Sequence, residues 1–176
     1  MLNLEFQILD GIQRLFGCKW LDAVMPGLSS LGDAGICWIV LSILLLLFPR
    51  TRRAGFASAA ALIFMLVGCN MILKPLMARP RPFTVRPSVT LLLPAPRDFS
   101  FPSGHSCASF ASATAVLKNN RRIGLPALAL ACLIAFSRLY LYVHYPTDVL
   151  AGTFLGIAFG YLGNLAAEKA LSAHTR

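Results

Sequence analysis

The chain has 176 residues, of which 57% are hydrophobic and only 13% charged, against roughly 25% in soluble domains. That balance excludes an ordinary water-soluble enzyme and predicts a membrane protein, with residues 1–176 forming one domain because the apolar runs are evenly spaced and leave no second module. The net charge of +9 does not point to nucleic acid, since the basic residues fall between apolar runs and suit lipid headgroups or an anionic substrate.

In chain order, the first candidate element is a helix with Ile8, Leu9, Ile12, Leu15 and Phe16 on one stripe and Glu5, Asp10 and Gln13 off it. It reads as a helix lying in the interface or as the first part of a tilted one. Its first basic residue is Arg14, so the positive start of a cleaved signal peptide is missing. A crossing helix needs about 20 apolar residues. Residues 54–73, 123–143 and 146–167 reach that length. Residues 34–48 and 104–117 are shorter but bounded by charge or proline, and residues 20–31, which carry Asp22 and Pro26, make the weakest candidate. The expected fold is all-α, an integral membrane bundle of about six transmembrane helices.

Packing signals sit on two of these helices. Gly152, Gly156 and Gly160 recur every fourth residue, a smooth stripe for close backbone approach, and "SCASFASATA" is too polar to face lipid and is expected at the centre. The turns holding Arg50, Arg52 and Arg53 and then Lys118, Arg121 and Arg122 alternate with the tail so as to share one side, cytoplasmic by the positive-inside rule. Cys18, Cys37, Cys69, Cys107 and Cys132 show no metal-ligand spacing and read as reduced thiols rather than a disulfide framework.

Parity of the helices brings three polar clusters to the other face: Lys74 to Arg81, Pro102 to His105, and Arg138 to Asp148. Together they offer Lys74, Arg81, Ser103, Gly104, His105, Arg138, His144 and Asp148. A His, His, Asp set can ligate a metal, but three cations beside it would repel one and favour a tetrahedral oxyanion. Ser103 is placed to cap a helix whose exposed amides Gly104 leaves open to a ligand; an ordinary cap with a satisfied histidine is the bland alternative. His144 and Asp148, four apart, suit a carboxylate that fixes the imidazole tautomer and frees the other lone pair, or a buried structural hydrogen bond. Arg79 and Arg86 read as headgroup contacts, and the three prolines of "KPLMARPRPF" predict an irregular strap. Leu91, Leu92 and Leu93, in the loop after it, are apolar enough to dip into the interface.

"KPLMARPRP", "PSGH" and "SRLYLYVHYPTD", within residues 74–82, 102–105 and 137–148, resemble the three-part signature of the type 2 phosphatidic acid phosphatase superfamily. The resemblance implies a metal-independent phosphatase without cofactors. In it His144 is the nucleophile that becomes a phosphohistidine, Asp148 orients it, and His105 protonates the leaving oxygen and then activates water. Lys74, Arg81, Ser103, the Gly104 amide and Arg138 hold the phosphoryl oxygens.

A pocket fed from the bilayer implies a lipid phosphate or diphosphate substrate, with undecaprenyl diphosphate favoured and phosphatidylglycerophosphate or phosphatidate as alternatives. The site is expected on the extracytoplasmic side of the inner (plasma) membrane. The related vanadium haloperoxidases are soluble, which the lipid-length segments argue against. A non-hydrolytic binder or transporter of lipid phosphates would keep the cations but not need both histidines.

Overall fold

Small residues make the centre of this bundle. In the computed structural model, which describes residues 2–173, the regular elements are all helical. The hub is α7 (Gly104–Asn119), where Ser106 to Ala113 are all buried. It packs on α4 (Arg52–Met65), α8 (Arg121–Tyr140) and α9 (Pro146–Ala173). Its hydroxyls are satisfied inside the bundle: Trp38 Nε1 donates to Ser109 Oγ at 3.0 Å, and Ser58 Oγ lies 2.7 Å from both Ser42 Oγ and Ser112 Oγ. A buried hydroxyl without a partner would cost about 1–3 kcal/mol, so these contacts allow a serine-rich helix to be central, as expected.

The glycine stripe is the surface of α9 that meets this hub. A Cβ on Gly152 would stand 2.5 Å from the Ser103 carbonyl oxygen, and one on Gly156 would stand 2.5 Å from that of Cys107. Any side chain there would force the two backbones apart.

The segment that carries the first basic cluster departs from regular helix. α4 runs into a π-helical stretch, Leu66–Leu73, then α5 (Lys74–Met77). It breaks at Ala78, whose φ is +41°, and resumes briefly as α6 (Pro82–Val85). Pro80 and Pro82 lack the amides a continuous helix needs, which accounts for the strap. The π-helical stretch was not expected; each extra residue in a turn rotates the later part of the helix by about 100° around the axis, so it helps set where Lys74 points.

By length and composition three segments can cross a membrane, Arg52–Val85, Arg121–Tyr140 and Pro146–Ser172. A fourth appears if Lys19–Leu31 and Asp33–Leu47, bent by 45°, form one span. The expected six is not reached on that count. α7 is only 16 residues long, while α1 (Leu2–Phe16) and α2 (Lys19–Leu31) pack on the last turns of α8 and the turn after it. There Asp10 accepts from Tyr142 Oη at 2.6 Å, and Asp22 accepts from Tyr140 Oη at 2.6 Å. The apolar stripe of α1 turns only partly toward the bundle, its exposed part facing outward as a helix in the interface would have it. Phe6 and Leu9 are buried against Tyr142 and Tyr145, Ile8, Leu15 and Phe16 are exposed, and Glu5 is buried in an ion pair with Arg79.

The two basic turns do share one end. Arg50, Arg53 and Lys118 line a common small cavity, and Arg53 pairs with Glu168 of α9 at 2.7 Å. The other end of the same helices holds the candidate site.

Candidate active site

Five of the expected residues meet at a cavity of about 520 Å³. They are Lys74 at the start of α5, Arg81 just before α6, His105 in the first turn of α7, Arg138 in the last turn of α8, and His144 in the turn between α8 and α9. Ser29, Asp33 and Asp98 share the lining.

His144 is 1% exposed, with Nε2 3.2 Å from Arg81 Nη1. A guanidinium only donates, so Nε2 is the unprotonated nitrogen, and its lone pair faces the arginine. The proton then sits on Nδ1, 3.5 Å from Asp148 Oδ2, and this nitrogen has no hydrogen-bond partner. Burial first, and then the charges of Arg81, Arg138 and Lys74, push the His144 imidazole well below its ordinary range. The site therefore holds a neutral histidine ready to give an electron pair.

Asp148 is beside His144 but bonded elsewhere. It is fully buried, accepts from Ser100 Oγ at 2.5 Å and from the Tyr145 amide at 2.9 Å, and pairs with Arg79 Nη1 at 2.5 Å. Arg79 is thus no headgroup contact: it joins Asp148 to Glu5 of α1 and lies over the Tyr145 ring, 3.9 Å from its centroid. Arg86 is likewise taken up, pairing with Asp10 at 2.8 Å and covering the Phe6 ring. Two arginines read as facing lipid headgroups fasten α1 to the site instead.

Arg138 is 3% exposed, and its Nη1 donates to Ser29 Oγ. Its Nε is buried without a partner, and among the described residues no carboxylate forms an ion pair with it. A buried charge in that condition is costly unless an anion arrives. Ser103 caps α7 as expected, its Oγ accepting from the Ser106 amide at 3.4 Å, but it is fully buried and does not line the His144 cavity. Gly104 lines a neighbouring cavity, where a Cβ would stand 3.0 Å from Asn70 Oδ1.

Asp98 and Asp33 were not anticipated. Both lie in turns that helix parity assigns to this face, and the chain has only 7 acidic residues to choose from. Asp98 pairs with Arg81 at 2.6 Å and with Lys74, while its backbone carbonyl accepts from Arg81 Nε at 2.8 Å. Burial works to raise its carboxyl, but Lys74 and Arg81 more than offset that and hold it below the usual carboxylate range. Asp98 therefore occupies cations that an incoming oxyanion would need. Asp98→Asn should tighten competitive inhibition by inorganic phosphate about tenfold, measured as Ki; an unchanged or weaker Ki would mean the carboxylate stays in place when phosphate binds. Of the leucines in this loop, Leu91 and Leu93 pack beside Met25, Tyr140 and Val143, while Leu92 is exposed at the rim of the cavity that Leu93 also lines.

Comparison with known proteins gives the family. Residues 54–171 match the PAP2 superfamily. The undecaprenyl-diphosphatase of Sulfolobus acidocaldarius is 35% identical over 143 residues, which are 81% of this chain and 68% of that protein. The decaprenylphosphoryl-5-phosphoribose phosphatase of Mycobacterium tuberculosis is 35% identical over 140 residues, 78% of this chain and 76% of that one. The crystal structure of a transmembrane PAP2-type phosphatidylglycerolphosphate phosphatase from Bacillus subtilis superposes with a TM-score of 0.76 at 26% identity, covering 95% of this chain and 86% of that one.

Proposed function

This chain belongs to the PAP2 superfamily of membrane lipid phosphatases, and from that we propose that it cleaves a lipid phosphate or diphosphate through a phosphohistidine on His144, with undecaprenyl diphosphate as the favoured substrate. The observation that carries the reading is the buried, unneutralised Arg138 beside a neutral His144 in one cavity. Such a pair suits a group that brings negative charge and is attacked at its centre. The His144 Nε2 lone pair forms a bond to phosphorus as the bond to the leaving oxygen breaks, and His105 gives that oxygen a proton. Water then attacks phosphorus, His105 takes its proton, and the phosphorus–nitrogen bond breaks to release phosphate. Lys74, Arg81, Arg138 and the Gly104 amide hold the phosphoryl oxygens as charge builds, each such donor being worth about a hundredfold to a thousandfold.

A lipid tail has somewhere to go. An apolar groove of about 610 Å³ lies between α3 (Ile36–Leu47) and α4, walled by Ile39, Ile43, Leu62, Ile63 and Leu66. It ends at Lys74, Asp98 and His105, which also line the His144 cavity, so head and tail sites join. The similar Bacillus subtilis structure gives phosphatidylglycerophosphate as the second substrate to consider. The basic turns at the opposite end support an extracytoplasmic site.

Phosphate release from undecaprenyl diphosphate, phosphatidylglycerophosphate and phosphatidate tests this reading. The highest kcat/KM is expected on the first, unchanged by a chelator and blocked by vanadate. Strict dependence on a divalent metal would overturn the assignment of charge neutralisation to the three basic residues, and binding without release from any lipid would make the protein a carrier.

A further inference from the structure

The phosphatase reading gives His105 two opposed duties, giving a proton and then taking one, in a site crowded with positive charge. Resting on that reading, we infer that Asp33 is a positioning residue for the proton transfer, its carboxylate holding and balancing the His105 imidazole.

Asp33 Oδ1 lies 2.9 Å from His105 Nε2, across 72 residues of sequence. The chain around it is shaped to the ring. Ala34 and Gly35, next in the chain, have φ of +50° and +69°, and a Cβ on Gly32, which precedes it, would stand 2.7 Å from His105 Cδ2. A non-glycine residue in that backbone region carries a cost, so the tight turn that sets Asp33 against the imidazole is held by the packing around it. Around the same ring stand Arg138 and Lys74, with His144 close enough to interact. Burial, and then Arg138, lower the His105 imidazole to about 4, while the hydrogen bond and charge of Asp33 pull it back up. Without that carboxylate the ring would hold a proton less readily still.

With Asp33 accepting from Nε2–H, Nδ1 is the nitrogen that exchanges a proton. In the first step the Nδ1 proton passes to the leaving oxygen as its bond to phosphorus breaks, and the ring becomes neutral. In the second, the Nδ1 lone pair takes a proton from water as the water oxygen joins phosphorus and the phosphorus–nitrogen bond to His144 breaks. Nε2 keeps its proton and its carboxylate throughout.

A general acid matters most when the leaving oxygen is poor. In the full-length protein, Asp33→Asn should lower kcat on a long-chain alkyl phosphate by about 30-fold, yet by less than about threefold on p-nitrophenyl phosphate, whose leaving group needs no proton. The alkaline limb of kcat on the alkyl ester should move to lower pH, and Asp33→Glu should recover part of the rate. Nitrogen-15 NMR of the labelled His105 ring should show it titrating lower in Asp33→Asn than in the wild type. Equal losses on both esters would reduce Asp33 to a structural role, and an unmoved His105 titration would overturn the pairing. If the wild type cleaves neither these esters nor undecaprenyl diphosphate, the phosphatase reading fails, while the NMR comparison still decides whether Asp33 controls His105.

Discussion

His144→Ala should abolish phosphate release, with a loss of at least about a thousandfold in kcat, while the purified protein keeps its helical circular dichroism and thermal transition. The size reflects the role of His144. It would be the nucleophile, so without it the two-step route closes and a direct attack by water must use a cavity shaped for an imidazole. The wild-type protein, quenched during turnover, should carry acid-labile phosphate that the variant lacks. The same residue predicts a pH profile. The reactive form is neutral, and burial with three nearby cations favours that form by pushing the imidazole well down. The acid limb of kcat/KM, which reports the free enzyme, should therefore fall below the usual histidine value of about 6.5. A limb at or above that value, or retained turnover in His144→Ala, would remove the nucleophile assignment.

The residues that converge on this cavity were legible because each sits at the end of an apolar run, and counting ends assigns each to a face. Lys74, Arg81, His105, Arg138 and His144 come together on that logic alone. What counting could not read is direction within a turn. Arg79 and Arg81 are two residues apart on a proline-broken strap, and which of them faces the cavity depends on the left-handed backbone at Ala78, which alanine does not advertise. Arg81 lines the cavity, whereas Arg79 goes to Asp148 and Glu5. The burial of Glu5 was illegible for a related reason: periodicity sorts residues by polarity, and a buried carboxylate with an arginine partner looks like a surface residue. Asp33 and Asp98 lie in turns whose paths are set by packing against distant helices, so no local pattern announces them. The bend of α2 into α3 and the π-helical stretch before Lys74 also left no mark in the hydrophobic period.

Arg81→Lys should lower kcat/KM by about a hundredfold although it conserves charge, because the guanidinium does work at three nitrogens. Nε donates to the Asp98 carbonyl at 2.8 Å, Nη2 reaches the Asp98 carboxylate at 2.6 Å, and Nη1 lies 2.7 Å from the Val143 carbonyl and 3.2 Å from His144 Nε2. The group thereby ties the loop holding Asp98 to the turn holding the nucleophile, and it presents its Nη1 donor where an oxyanion would meet His144. A lysine ammonium is a point charge with a rotating set of donors; it can satisfy one of these partners well but cannot span both segments. The loss should appear mainly in kcat, since charge attraction for the free phosphate survives while the transition-state geometry does not. A comparable change at Arg53, paired with Glu168 at the opposite end, should leave turnover nearly unchanged. Equal activity in Arg81→Lys and the wild type would mean that charge alone suffices at this position, and the fork of contacts to Asp98, Val143 and His144 would then be scaffolding for the fold rather than part of the reaction.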